Sequence, residues 1–404
     1  MKLVETILDK MTKVSKPQRK FLLKAIGAFL SVNGKLTFLN MCRYVGLHAR
    51  TFARQFSKSF DFADFNRKAT DLFYGGRERI LGMGFDPFFM SKSGDKTPGK
   101  GHFWNGKEGC VERGLEASLL CVIDLVTRHA FPLLARQTPN SDELKKMSES
   151  GDPITRIDWF LDYIISVIPK FPTGIKYILV DAYFFKEKFV TGICNTGLHV
   201  ICKMRKDARL RSLYIGSQKS RGRRRKFGEV VDFNMLSDIA TEDPDITLRA
   251  EVMYSVGLER NILVVMARKA RSDGRIMEAL LFSTDTQMTS IDVYHYYGAR
   301  FQIEFVIRDA KQHTGLADCQ SWVKERIDFH INISFLTVGI ARIKEYERLA
   351  EALAGTACSV ASQRVKYHNE MLIRSIFPIL GLDLLEFKSH PAYDQALSFG
   401  VIHA

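Results

Sequence analysis

The 404-residue chain has no run of about 18 apolar residues and no N-terminal pattern of charged start, apolar stretch and small-residue cleavage site. Neither a membrane-spanning helix nor a secretory leader is expected, and a cytoplasmic location is. The seven cysteines are odd in number, with no CxxC and no Cys/His set at zinc spacing. This argues against a disulfide framework or a zinc fold and predicts free thiols, mostly buried. The Gly- and Lys-rich stretch 91–109, SKSGDKTPGKGHFWNGKEG, has no GKS or GKT after a strand, so it is no P-loop. No apolar heptad persists long enough for a coiled coil. Tryptophan is scarce: Trp104, Trp159 and Trp322 only.

With 46% hydrophobic and 26% charged residues, the chain has the make-up of a soluble globular protein. It is long enough for two or three domains and at least one large core. The net charge is +14, and its placement says more than its size. Residues 1–75 carry 14 Lys and Arg against 5 Asp and Glu, and residues 203–226 carry 11 against a single Asp. The remainder is mildly acidic. Two concentrated basic regions on such a body predict a polyanion, nucleic acid, held at two places.

Residues 1–75 read as helical. The segment 36–58, LTFLNMCRYVGLHARTFARQFSK, reads as helix, turn and helix, with Gly46 ending the first helix as a C′ glycine. The second helix is expected to expose His48, Arg50, Thr51, Arg54, Gln55 and Lys58, donors suited to major-groove reading; a three-helix bundle with a basic face is the plainer alternative. Residues 77–90 turn strand-like around Asp86, a lone acid in an apolar run, costly to bury without a partner unless it sits at a bulge or strand end beside Pro87. Two strands follow around a turn at 124–128, then an amphipathic helix at 154–169. Residues 174–180, GIKYILV, are a buried strand ending at Asp181. An acid at the carboxyl end of a strand is where open α/β sheets place ligands; a helix N-cap is the plainer alternative. Residues 205–285 break the pattern: the basic loop 219–226, KSRGRRRK, precedes four predicted strands. Arg223, Arg224 and Arg225 in that loop suit phosphate contact, against the plainer reading of a solvated loop.

Residues 297–311, YGARFQIEFVIRDAK, are predicted to form one helix on which Tyr297, Arg300, Glu304, Arg308 and Lys311 share a face. Apolar residues flank that stripe on both sides, so it is either a solvated face laced with ion pairs or a cleft wall. The spacing Y-x2-R-x3-E-x6-K resembles the signature of bacterial insertion-sequence transposases with a DDE active site. The stretches DPFF, KSGDKTPG, FW and VDAYFF ahead of it are similar to members of that group in the same order.

The resemblance implies an α/β catalytic core of RNase-H-like layout, a mixed sheet flanked by helices, with an all-β insertion domain and helical terminal regions. It divides the chain into a helix-turn-helix domain (1–75), the first part of the core (76–204), the insertion (205–285), the second part of the core with the signature helix (286–345) and a C-terminal helical region (346–404) through which relatives pair, so a homodimer on DNA is expected. It implies cut-and-paste transposition of double-stranded DNA at terminal inverted repeats. Asp86, Asp181 and Glu304 would hold two Mg²⁺, with Mn²⁺ as substitute, because phosphoryl transfer needs hard-oxygen ligands around such ions. Tyr297, Arg300 and Lys311 would contact phosphates of the transposon end; Arg308, outside the signature but on the same face, is a candidate for a phosphate contact or for orienting Glu304, and Arg50 and Arg54 remain the DNA-binding candidates of the N-terminal helices. In such relatives a Trp of the insertion domain stacks on a flipped base. None lies in 205–285 here, leaving Tyr254 or Phe282 as substitutes. The competing readings are an RNase-H-like nuclease without strand transfer and a domesticated DNA-binding regulator.

Overall fold

The computed structural model describes residues 1–148, 151–205, 207–218, 220–222, 224–225, 227–270, 273–351 and 359–401, with backbone only at residues 234 and 349–351. Arg223 and Cys358 lie outside the described residues.

Five helices open the chain: α1 (Lys2–Asp9), α2 (Lys16–Ser31), α3 (Phe38–Val45), α4 (Ala49–Phe56) and α5 (Phe62–Tyr74). Their starts follow from local chemistry. The Ser15 hydroxyl accepts from the Gln18 amide ahead of Pro17, and the Thr37 hydroxyl accepts from the Asn40 amide. Gly46, at φ 61°, ends α3 in the left-handed region. On α4 and at its ends His48, Arg50, Arg54 and Lys58 are exposed, whereas Thr51 is half-buried and Gln55 buried. The expected outward face is thus narrower than the sequence suggested.

Among the described residues the middle of the chain builds one mixed twelve-stranded sheet flanked by helices. Its first part holds β1 (Leu81–Ser91), β2 (Gly101–Asn105), β3 (Cys110–Asp124), β4 (Ala130–Gln137), α6 (Ser141–Ser148), α7 (Arg156–Val167), β5 (Tyr177–Val180), α8 (Glu187–Cys194) and β6 (His199–Met204). β1 runs antiparallel to β3 along its whole length and parallel to β5, which is parallel to β6. β4 pairs with the far edge of β3, giving the spatial order β4-β3-β1-β5-β6.

Then come β7 (Leu210–Leu213), β8 (Phe227–Val230), β9 (Ile239–Ala240), β10 (Ile246–Ser255), β11 (Arg260–Ala270) and β12 (Ile276–Ser283). These strands do not close on themselves. β12 pairs antiparallel with β6, from Leu280↔Met204 to Ser283↔Ile201, so the β-rich segment extends the core sheet.

The chain ends in helices: α9 (Ser290–Ala299), α10 (Gln302–His313), α11 (Lys324–Glu351), α12 (Val360–Ile376), α13 (Leu384–Ser389) and α14 (Ala392–Leu397). One face of the sheet packs Phe85 against Phe160 and Tyr163 of α7 and against Phe184, with ring centroids 5.4–6.1 Å apart. The other packs Phe88 against Phe335 of α11. Edge-to-face geometry of this kind adds to area burial. The N-terminal helices join the same core through Phe56 and Phe62, both on Phe329. Among the described residues no helix is long and apolar enough to cross a membrane.

Candidate active site

Asp86 lies in β1 opposite Leu119 of β3. The parallel pairing with β5 covers only Gly82–Gly84, so beyond it β1 has a free edge. That edge accommodates Pro87, which donates no ladder bond, and leaves Asp86 18% exposed. Continuing the register Gly84↔Leu179 by two residues brings Asp86 level with Asp181. Asp181 follows the last residue of β5, and its carboxylate accepts from the Tyr183 amide at 3.0 Å, capping the short 3-10 turn Ala182–Phe184.

The third acid arrives from the far end of the chain, on an element that differs from the expected one. The stretch 297–311 spans two helices: Tyr297 lies in the last turn of α9, and Glu304 in the first turn of α10. Arg300 and Phe301 keep right-handed helical dihedrals. Their amides, however, bond three residues back, Arg300 to Tyr297 and Phe301 to Gly298, as do Ile303 and Glu304. This tightened turn rotates the two halves relative to a continuous helix. The predicted stripe therefore splits. Tyr297 and Arg300 are buried; Glu304, Arg308 and Lys311 are exposed.

Arg300 joins the two halves to the sheet. Its guanidinium, 5% exposed, donates to Glu304 Oε1 at 2.8 Å and stands 3.8 Å from Asp86 Oδ2. It packs over the rings of Tyr297 and Phe301 at 5.6 and 5.0 Å. Helix α10 is held in place behind this contact by the buried pair of Asp309 and Arg342, 2.8 Å apart, while Arg342 also donates to the Ala130 carbonyl of β4.

The electrostatics follow from this crowding. Burial pushes the Asp86 carboxyl up to about 7; Arg300 opposes the rise, and the charges of Asp181, Glu304 and Glu116 add to it. Asp181 is also raised by burial, against the Tyr183 amide and Arg300, with Glu304 adding. Burial pushes the Tyr297 phenol up to about 12. Glu116 stands out in the structure and not in the sequence. It is buried in β3 across from Phe89, and one of its carboxylate oxygens has no hydrogen-bond partner among the described residues. Strand alternation puts it on the face opposite Asp86, and an acid inside the apolar run LEASLL was the available signal.

The donor set suits a hard divalent cation: three carboxylates, two of them destabilised as anions by burial and mutual charge, a conflict a cation would relieve. Among the described residues no group of three His, Cys, Asp or Glu is close enough to hold an ion. Arg300 supplies the positive charge between Asp86 and Glu304.

The other candidates make no contact with the three acids among the described residues. Arg308 lies over Phe305 and near Asp309, and Lys311 over Phe88. Arg50 and Arg54 project from α4. Arg224 and Arg225 are exposed, with Arg225 over the Tyr214 ring and its backbone bonded in both directions to the Gln218 side chain. Neither proposed stacking aromatic is presented: Tyr254 is buried against Phe227, and Phe282 against Phe185.

Fold and site together define an α/β protein with an acidic centre at the ends of its parallel strands. Residues 132–338, just over half of the chain, match the family model of the transposase DDE domain, and the chain belongs to that family. It is thus a transposase of the DDE type, an enzyme acting on DNA. The match contains Asp181 and Glu304 and begins after Asp86. No curated protein matches the chain.

Proposed function

We propose that this transposase is of the insertion-sequence kind with the Y-R-E-K signature, cutting and joining DNA at terminal inverted repeats. The observation that carries the reading is the bridge from Asp86 through Arg300 to Glu304, with Asp181 level on the neighbouring strand. It ties two signature residues to an acid of the first strand, more than two hundred positions earlier in the chain. The spatial order β4-β3-β1-β5-β6, with β1 antiparallel to β3 and parallel to β5, supports an RNase-H-like core. In this reading residues 1–75 bind DNA, 76–204 and 286–345 form the core, 205–285 are an insertion carried on the core sheet, and 346–404 serve self-association. Exposed Ile379, Leu385 and Phe399 in that last region support the pairing. A protein acting on bacterial DNA works in the cytoplasm.

Asp86, Asp181 and Glu304 would hold two divalent ions, Mg²⁺ or Mn²⁺. When bound, such ions supply an acidic water, neutralise developing charge and stabilise the leaving 3′ oxygen. Arg300 keeps Asp86 from protonating fully near neutral pH and holds Glu304 toward the sheet. Tyr297 packs under Arg300 and fixes its direction, so both act on DNA chiefly through the acids they order. Arg308 and Lys311, exposed on α10, and Arg50 and Arg54 on α4 contact phosphates; Arg224 and Arg225, with Arg223 in the same loop, do so at the sheet edge.

The test is incubation with Mg²⁺ or Mn²⁺ and a duplex bearing the native terminal repeat. Cleavage followed by joining of the freed 3′ end to a second duplex is the expected result. Cleavage without joining favours a nuclease, and binding without either favours a regulator.

A further inference from the structure

A cavity of about 320 Å³ opens beside Asp181, walled by Tyr183, Phe185, Lys186, Arg205, Asp207 and Arg209. Its position is set by the fold. The wall residues follow β5 and β6 at their carboxyl ends, the side on which open parallel sheets bind ligands. The turn carrying Tyr183 is capped by the Asp181 carboxylate itself. The cavity therefore shares a structural element with the candidate acid, two residues away.

Its charge is one-sided. Lys186, Arg205 and Arg209 stand against the single acid Asp207, and all four are exposed. No ion pair of any of the four occurs among the described residues, while arginines nearby in the sheet, Arg249 and Arg268, are paired with acids. Unpaired guanidinium and ammonium groups around one concavity attract a phosphate, with the arginines offering two donors to its oxygens. The cavity also presents an aromatic face. Tyr183 is 46% exposed, and the Lys186 ammonium lies 5.1 Å over its ring. A base can stack on this ring once the Lys186 ammonium swings off it to meet the phosphate.

We propose that this cavity is a subsite for the DNA strand next to the bond being cut, taking one backbone phosphate on Lys186, Arg205 and Arg209 and the adjoining base on Tyr183. The assignment rests on the transposase reading above and deepens it: the acids act on one phosphate, and this subsite sets which one by holding its neighbour. The shared chemistry with a free nucleotide is a phosphate and a base; continuity with Asp181 favours the strand.

Methylphosphonate scanning tests it. Single phosphates of a terminal-repeat duplex are made neutral, one position at a time, and binding to the full-length protein is measured. The wild type loses about tenfold in affinity at one position within two nucleotides of the cleavage site. The Arg205→Gln/Arg209→Gln variant binds the unmodified duplex correspondingly weakly and shows no further weakening at that position. Tyr183→Phe binds as the wild type, and Tyr183→Ala weakens binding by about fivefold or more. The same weakening in wild type and variant at every position overturns the proposal, as does displacement of DNA from this subsite by a deoxynucleoside monophosphate, which makes it a mononucleotide site. Because all the altered side chains are exposed, unchanged thermal unfolding verifies that the variants are folded. If the wild type cuts its repeat but no position in the scan becomes insensitive on mutation, the subsite fails alone; if the wild type cuts nothing, the transposase reading fails first.

Discussion

Replacing Arg300 by Met removes a charge from the acidic centre while leaving an apolar stem between Tyr297 and Phe301. The Arg300 guanidinium is 3.8 Å from Asp86. At an effective dielectric of about 20, a unit pair at that distance attracts by about 4 kcal/mol. Both carboxylates are partly solvated, Glu304 nearly half so, which reduces the net effect on Asp86 to about 1–2 kcal/mol, or about one pH unit. The sign is upward, because Arg300 favours the charged form of Asp86 and its removal favours the protonated one. Protonation of Asp86 in the metal-free protein, followed by carboxyl NMR from about pH 5 to 9.5, is expected to show an acid limb near the value of about 7 that burial sets. In Arg300→Met that limb moves up by about one pH unit. Stability follows the same sign. A carboxyl raised in the fold contributes fully below its unfolded value and loses that contribution as pH rises through the folded value. The variant therefore loses more stability than the wild type between about pH 4 and 8. An acid limb that stays in place or moves to lower pH would refute this electrostatic role for Arg300.

Three further outcomes follow from the structure. Gly315 has φ +60°, and a Cβ there would meet the Asp318 carboxylate at 2.6 Å and Leu36 Cβ at 2.9 Å; Gly315→Ala is expected to cost about 2–3 kcal/mol in denaturant unfolding. Buried His330 is depressed to about 4 by burial, against its bond to the Gly315 carbonyl at 2.7 Å; a depressed group stabilises above its unfolded value and loses that contribution as pH falls, so between about pH 6.5 and 4 the wild type should lose up to about 3 kcal/mol more than His330→Gln. Neutralising Arg224 and Arg225 together should weaken DNA binding at low salt and lower the slope of log affinity against log salt by about 0.9 for each phosphate no longer neutralised, without changing the cleavage position.

The acids were legible for different reasons. Asp86 stood out as a carboxylate in an apolar strand, and Asp181 as the acid at the carboxyl end of a buried one. Glu116 carries the same signal as Asp86 without standing out, since composition alone does not say which face of the strand is closed. The signature residues were legible by spacing, but the break between the two helices that carry them was not. Arg300 and Phe301 keep helical dihedrals while bonding three residues back, a change that leaves no mark on the pattern of apolar residues. Gln55 looked outward on α4 and is buried because neighbouring helices cover that flank. Strand β2 was hidden in a Gly- and Lys-rich stretch, its five residues being held by pairing with β3 rather than by propensity. The continuity of the β-rich segment with the core rests on the pairing of β12 with β6, far apart in sequence, and no local pattern encodes such a register.

The most direct measurement is cleavage of the terminal repeat by Asp86→Asn, Asp181→Asn and Glu304→Gln, each compared with its own DNA affinity. Every one of the three is expected to abolish cleavage in Mg²⁺ and in Mn²⁺ while duplex binding persists. Full cleavage by all three variants would contradict this, since the centre joined by Arg300 would then not be where the phosphodiester bond is cut.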